Sequence, residues 1–355
     1  MKELCKRRNP SKSVVMAGLM ILVIFIYGCN NNSSGSGSGG GGTITNNNVY
    51  RGSNALGINF IRDMPPAEVY DENSEFVIGL ELKNEGTQNI SEGILSVGVE
   101  SDYIEMKGTL KQRDTLASYE NIEGKNNAIK FNVGGKSILT PNGEKGIVYF
   151  SGVARKLQTQ SQSLQSKISV NACYNYKTIA VPIVCIDTDF TNNNPFQKSC
   201  VVNDVSMDSQ GAPVAITSVK YKMLPRGNMV EPEFFITIEN KGNGEVINPL
   251  SGFVEGVCGL SSDIFEKNKD DENEKQISIF NVVKVSVFLG ADQKELDCIP
   301  KDGLKLKDKK SELKCTLESG IETTEGTYST PLQIIIEYGY TLSASKDILI
   351  KKSGQ

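Results

Sequence analysis

Histidine and tryptophan are both absent from this chain of 355 residues. Without histidine there is no Ser-His-Asp triad, no Cys-His pair and no imidazole metal ligand. An enzyme built from these residues would have to work with carboxylates, lysine, tyrosine or cysteine. No C-x-x-C pair occurs, which removes the usual dithiol redox motif and the usual zinc-site spacing. Long apolar runs are scarce, and the one that stands out, Val14 to Tyr27, lies near the start. Cationic excess is lacking too. The formal net charge is -4, and residues 1–28 hold Lys2, Lys6, Arg7, Arg8 and Lys12 against Glu3, so the remainder is more acidic still. An acidic surface excludes nucleic acid as the expected partner, because phosphates need a basic footprint. No cofactor is expected.

What is present begins with a location signal. Met1–Ser13 is basic, and the apolar run behind it would measure roughly 21 Å as a helix. A bilayer core takes about 20 residues, so the run suits the apolar segment of a secretory signal. It ends on Ile26-Tyr27-Gly28-Cys29. That ending resembles a lipobox, the lipoprotein signal of bacteria and archaea: an aliphatic residue three before the cysteine and a small residue directly before it. Tyr27 departs from the pattern. The resemblance implies cleavage before Cys29 and lipid attachment to its thiol. The alternative is an uncleaved amino-terminal membrane helix, and either way the membrane is a partner and the body stands outside the cytoplasm.

Residues 30–48 are Asn, Ser and Gly almost throughout. Such a string has little to bury and much entropy to lose, so it is expected to act as a tether, reaching roughly 25 Å root-mean-square. Two N-x-S acceptors, Asn31 and Asn32, fall in it, and a third, Asn89, lies further on.

Beyond residue 48 short alternating segments recur between Gly, Asn, Asp and Pro, the pattern of an all-β chain. Phe76-Val-Ile-Gly-Leu-Glu-Leu-Lys-Asn84 is the clearest, with Phe76, Ile78, Leu80 and Leu82 on one face. Other expected strands include 94–99, 128–133, 167–176 and 181–186 in the first half. In the second half they include 216–221, 233–240, 252–257, 282–289, 311–317, 331–338 and 346–351. About seven strands in each half suit two β-sandwiches in tandem. The boundaries are 1–29 for the signal, 30–48 for the linker, 49–186 for the first sandwich, 187–212 for an interdomain segment and 213–353 for the second sandwich. A repeat supports the division. A shift of about 156 residues places Leu80, Leu82, Asn84 and Gly86 on Ile236, Ile238, Asn240 and Gly242. The glycine of each Asn-x-Gly is read as supplying a positive φ for a turn.

Phe76–Gly86 and Phe234–Gly242 resemble the second strand of CARDB-type and related immunoglobulin-like domains of archaeal and bacterial surface proteins. The resemblance covers about the first third of each half and brings no catalytic residues. It implies a cell-surface role in adhesion, spacing or envelope assembly, with an unidentified protein or glycan as partner.

Six cysteines lie in the body, an even number that suggests disulfides in an exported chain. Thr178-Ile179-Ala180 reads as a hairpin turn, which would bring Cys173 opposite Cys185. Cys298 and Cys315 flank the polar stretch 301–310 and are expected at its base. Cys200 and Cys258 remain for each other.

The other clusters are expected to be structural. Asp187-Thr-Asp-Phe-Thr-Asn-Asn-Asn194 alternates oxygen ligands as a calcium loop might, but lacks the Gly and distal Glu of an EF-hand and is read as a solvated turn. Residues 267–275 form a mixed-charge loop tip. Tyr174 and Tyr176 are read as sheet packing over a sugar-stacking strip. The expected function is therefore a non-enzymatic, membrane-anchored surface protein. A glycan-binding module is the alternative, and a His-independent hydrolase the second.

Overall fold

The structure, a computed structural model, describes residues 50–111, 118–189, 198–250, 252–260 and 278–354. The expected leader, Cys29, Asn31, Asn32 and the charged tip 267–275 lie outside these. Among the described residues no helix is long and apolar enough to cross a membrane.

The body is an all-β sandwich structure. The first half supplies β1 (Leu56–Phe60), β2 (Glu68–Tyr70), β3 (Ser74–Asn84), β4 (Ile90–Gly98), β5 (Ile104–Leu110), β6 (Tyr119–Asn121), β7 (Ala128–Val133), β8 (Lys145–Ala154), β9 (Ser163–Ala180) and β10 (Ile183–Asp187). The second supplies β11 (Val205–Ser206), β12 (Val214–Arg226), β13 (Met229–Asn240), β14 (Glu245–Ile247), the short helix α1 (Phe253–Val257), β15 (Val282–Leu289), β16 (Lys294–Glu295) and β17 (Asp297–Ile299). It continues with β18 (Leu304–Lys305), β19 (Lys310–Thr316), β20 (Ile321–Glu322) and β21 (Thr327–Lys351).

Two smaller sheets, in the orders β1-β3-β8-β5 and β11-β12-β13-β19-β17, belong to the first and second halves respectively. Both halves contribute to a third, long sheet, β16-β15-β21-β9-β4-β7-β6. Phe76, Ile78, Leu80 and Leu82 of β3 are buried, as are Phe234, Ile236 and Ile238 of β13. Alternation at period two puts each set on one side of its sheet.

The halves are not two closed beads on a linker. β9 and β21 pair antiparallel from Ala180↔Ile334 to Ser163↔Lys351, and one continuous apolar core holds residues of both halves. The described residues, 50 to 354, fall in one compact unit. The expected strands 331–338 and 346–351 are a single strand, because residues 339–345 between them stay paired with β9 without a break. Its far end also takes β2 as a parallel neighbour, Val69 opposite Ile350. The last strand of the second half therefore runs along the first, which no short-range signal reveals.

Three further expectations need correction. Residues 252–257 were expected as a strand, but 253–257 form α1; Phe253 and Val254 are adjacent and both buried, which a strand's alternation does not allow. Thr178–Ala180 is not a turn. β9 runs through it, and β10 continues along the same edge of β21, with Cys173 opposite Thr341 and Cys185 opposite Ser329. Twelve residues of strand separate Cys173 from Cys185, roughly 40 Å, so they cannot bridge. The bridges are Cys173–Cys258, Cys185–Cys200 and Cys298–Cys315. The last joins directly opposed residues of β17 and β19, at the base of the 301–310 loop. Cys200 is held by the neighbouring β10, leaving Cys258 free to fasten α1 to β9.

Third, the glycines of the repeat are needed for room. Neither Gly86 nor Gly242 has a positive φ. A Cβ on Gly86 would lie 2.1 Å from the Tyr176 hydroxyl, and one on Gly242 would lie 2.3 Å from that of Tyr340. Each repeat is a corner. The Asn84 amide donates to the Gln88 and Val133 carbonyls and accepts from Gly86 N–H. The Asn240 amide donates to the Gly244 carbonyl and accepts from Gly242 N–H. Tyr176 Oη then accepts from Gln88 N–H at 3.0 Å, and Tyr340 Oη from Gly244 N–H at 2.8 Å. The correspondence extends to Tyr174 and Tyr338, which accept from Leu56 and Val214 N–H. On the paired strands Tyr174 faces Tyr340 and Tyr176 faces Tyr338. The halves are thus related by an approximate two-fold centred on the Asn175–Gly339 pair.

Candidate functional site

The inner face of the β9–β21 seam is closed. Its four tyrosines are buried, with neighbouring ring centroids 5.8 to 6.2 Å apart. Burial pushes the Tyr176 and Tyr340 hydroxyls up to about 12, and burial raises Tyr174 and Tyr338 as well. These rings pack the core and present no stacking surface to a sugar.

The outer face of the seam is where a site is built. β14 pairs with residues 339–341 of β21 and β15 with residues 332–337. Between them the chain leaves the sheet and returns. The excursion carries α1 onto the outer face, where Phe253, Val254 and Cys258 form a small cluster with Ile94, Cys173 and Ile247. Gly339 permits this seating, since a Cβ there would lie 2.7 Å from Val254 Cγ2. The Cys173–Cys258 bridge fixes α1 to β9.

Beside this cluster lies an open cavity of 640 Å³. Its floor is the sheet: Asn175 and Lys177 of β9, Glu337 of β21 and Lys284 of β15. Glu337 stands between the two lysines in register, opposite Lys177 on one side and Lys284 on the other. Asn248, Pro249 and Leu250 make one wall where the excursion departs. Lys301 and Asp302 make another, and Gln88 and Asn89 of the β3–β4 corner a third. Lys301 is ion-paired to Asp297 at 2.7 Å, and that hydrogen bond raises its pKa. Leu250 is 51% exposed, an apolar surface at the rim. Amide groups, both signs of charge and one aliphatic patch equip the cavity to hold a polar, partly charged ligand.

Asn89 was the one expected acceptor asparagine to fall within the described residues. It is exposed, and its Oδ1 accepts from Gly135 N–H at 2.9 Å. A glycan on its Nδ2 would stand at the cavity wall. The stretch 187–194, read from the sequence as a solvated turn, has its first carboxylate taken: Asp187 accepts from Lys198 Nζ at 2.6 Å, from Thr327 Oγ1 and from Asp189 N–H. Residues 190–194 of that loop lie outside the described residues. Among the described residues no group of three or more Cys, Asp or Glu is placed to hold a metal ion.

Sequence reasoning missed the cavity, because its floor and walls come from six separate parts of the chain. Asn248-Pro249 followed by Gly252 did mark a break in the strand pattern, and that break is where the excursion begins.

No protein-family model matches the chain, and no curated protein does. Solved structures give distant likenesses. A type I cohesin–dockerin complex from Clostridium thermocellum, Coh-OlpC–Doc435, is 17% identical, over 34% of this chain and 82% of that one, with a TM-score of 0.23. The collagen-binding domain of the Erysipelothrix rhusiopathiae surface protein RspB is 9% identical over 86% and 91%, with a TM-score of 0.13. The secreted serine protease VesC from Vibrio cholerae is 10% identical over 82% and 51%, with a TM-score of 0.18. Scores this far below 0.5 do not establish a shared fold. A histidine-dependent serine protease triad is excluded here by composition alone.

Proposed function

We propose that this chain is an exported, membrane-tethered surface protein that works by binding and not by catalysis. In this reading the amino-terminal segment holds the protein at the membrane through lipidated Cys29. The 30–48 string sets its reach, and the fused double sandwich presents its outer-face cavity to a partner in adhesion, spacing or envelope assembly. The supporting observation is the set of three disulfides, since such bridges form and persist in oxidising compartments. One of them holds the helix beside the cavity. The reading agrees with the CARDB-type resemblance and with the absence of histidine.

A protein partner is the first choice for the cavity. A glycan is the second, favoured by the amides of Gln88, Asn89, Asn175 and Asn248 along its walls, although no exposed aromatic ring accompanies them there. The test is metabolic labelling with a clickable fatty acid in a lipoprotein-processing host. The wild-type chain takes the label and stays with membranes, and Cys29→Ser takes none. Label retained in Cys29→Ser, or an unlabelled wild-type chain free in the cytosol, overturns the reading. An unlabelled chain held in membranes selects the uncleaved helix instead.

A further inference from the structure

The connection between β7 and β8 carries the most exposed apolar pair among the described residues. Ile138 is 65% exposed and Leu139 is 92% exposed. They are held outward. Ser137 N–H donates to the Thr140 carbonyl at 3.1 Å, and Thr140 N–H donates to Ser137 Oγ at 3.0 Å. The two hydroxyls are 2.8 Å apart, and Gly143 N–H closes onto the Thr140 carbonyl. The base is fastened to the first repeat corner, through Gly135 N–H to Asn89 Oδ1 and Lys136 N–H to the Gly86 carbonyl. A slack loop could fold two aliphatic side chains back onto the body. This braced turn keeps them in solvent.

The turn's position indicates what covers it. Lys136 Nζ lies 4.0 Å from the place a Cβ on Gly52 would take. Gly52 is itself tied down by its N–H to Ser209 Oγ at 2.9 Å. Two residues upstream, Tyr50 is 53% exposed, and from there the sequence leads back through the Gly/Ser string to the apolar run Val14–Tyr27. The tip, Tyr50 and Lys136 therefore share the end of the body at which the segment from the anchor arrives.

We propose that the Ile138–Leu139 tip docks in the interfacial zone of the same bilayer that holds the amino terminus, with Tyr50 and Lys136 at headgroup level. This rests on the tethered reading of the leader. Two aliphatic residues bind a bilayer only weakly alone. A tether of this length raises their effective concentration at the surface to the order of millimolar, so weak insertion is enough to orient the body. Tyrosine and lysine are the side chains that settle at a headgroup boundary, each with an apolar body and a polar tip.

The natural lack of tryptophan makes the test clean. The full-length chain is reconstituted through its amino terminus into vesicles of phosphatidylcholine and phosphatidylglycerol, with or without brominated acyl chains. Leu139→Trp and Val201→Trp each provide the sole tryptophan. Val201 is 70% exposed and sits beside Cys200, whose partner Cys185 lies roughly 30 Å along the strand direction from Tyr176. Both changes are at solvent-facing positions, and circular dichroism checks that both variants fold. Docking predicts a blue-shifted emission for Leu139→Trp and at least twofold stronger quenching by brominated lipid than for Val201→Trp. Equal quenching in the two variants, with the protein co-sedimenting on vesicles, overturns the docking and leaves the tether standing. Failure to co-sediment refutes the tether and the docking with it.

Discussion

Replacing Gly86 by alanine should destabilise the body, and replacing Tyr176 by phenylalanine in that same chain should cost less than it does in the wild-type chain. The added Cβ meets the Tyr176 hydroxyl at 2.1 Å, the Gly211 carbonyl at 2.8 Å and Ala55 Cα at 3.1 Å. Tyr176 cannot swing aside, because it is 5% exposed and its hydroxyl is held by Gln88 N–H. Overpacking of this kind costs about 1–3 kcal/mol. Tyr176→Phe alone removes the acceptor from a part-buried N–H, a loss of about 1–2 kcal/mol. In the double variant the hydroxyl clash is gone and the carbonyl contact remains. The losses should therefore fall short of their sum by about 1 kcal/mol, the size expected for residues in contact. Guanidinium unfolding with unchanged m-values reads the effect directly. Additive losses, agreeing within about 0.5 kcal/mol, would refute the close-approach explanation of the repeat. Gly242→Ala with Tyr340→Phe should couple in the same direction but more weakly, because the hydroxyl contact removed there is looser, at 2.3 Å, and the ring carbon Cζ at 3.2 Å stays in the phenylalanine.

The disulfides should differ in what they contribute. Cys173 and Cys258 are 85 residues apart and Cys185 and Cys200 only 15, so loop-closure entropy gives about 4–5 kcal/mol for the first bridge and about 3 for the second. Paired alanine substitutions compared by denaturant midpoint check the order, and equal losses would contradict it. Asp71 should govern part of the acid response. Its buried carboxylate accepts from Ser353 N–H, Leu157 N–H and Ser353 Oγ, and the Ser353 backbone hydrogen bond leads in lowering its pKa. A lowered folded pKa means that the contribution is complete above the unfolded value near 4 and fades as pH falls through the folded one. Asp71→Asn should therefore lower stability at neutral pH and flatten the loss below pH 4. An unchanged acid limb would show that the clamp on the end of β21 carries no linkage.

Local rules carried the strand reading a long way. Phe76 to Asn84 was legible because alternating side chains must fall on opposite faces, and the Asn-x-Gly repeat was visible in both halves. Its physical cause was not. A tyrosine about 90 residues downstream decides why Gly86 must lack a side chain, and no local pattern reports that approach. The cysteine pairings failed for a similar reason. Thr178-Ile179-Ala180 resembles a turn only if Cys173 and Cys185 are assumed to lie on neighbouring strands. In fact β21 accepts β9 and β10 end to end along one edge, which is a non-local choice. The cavity was illegible because Asn89, Asn175, Asn248, Lys301 and Glu337 meet only once the two halves share a sheet.

The most direct test of an exported, oxidised body is made on intact cells. Surface proteolysis is followed by non-reducing peptide mapping of the released fragments. The account predicts that residues beyond 48 are released and that the map contains the linkages Cys173–Cys258, Cys185–Cys200 and Cys298–Cys315. A body shielded from protease until the cells are lysed, with its six thiols free to react with a maleimide, would contradict it.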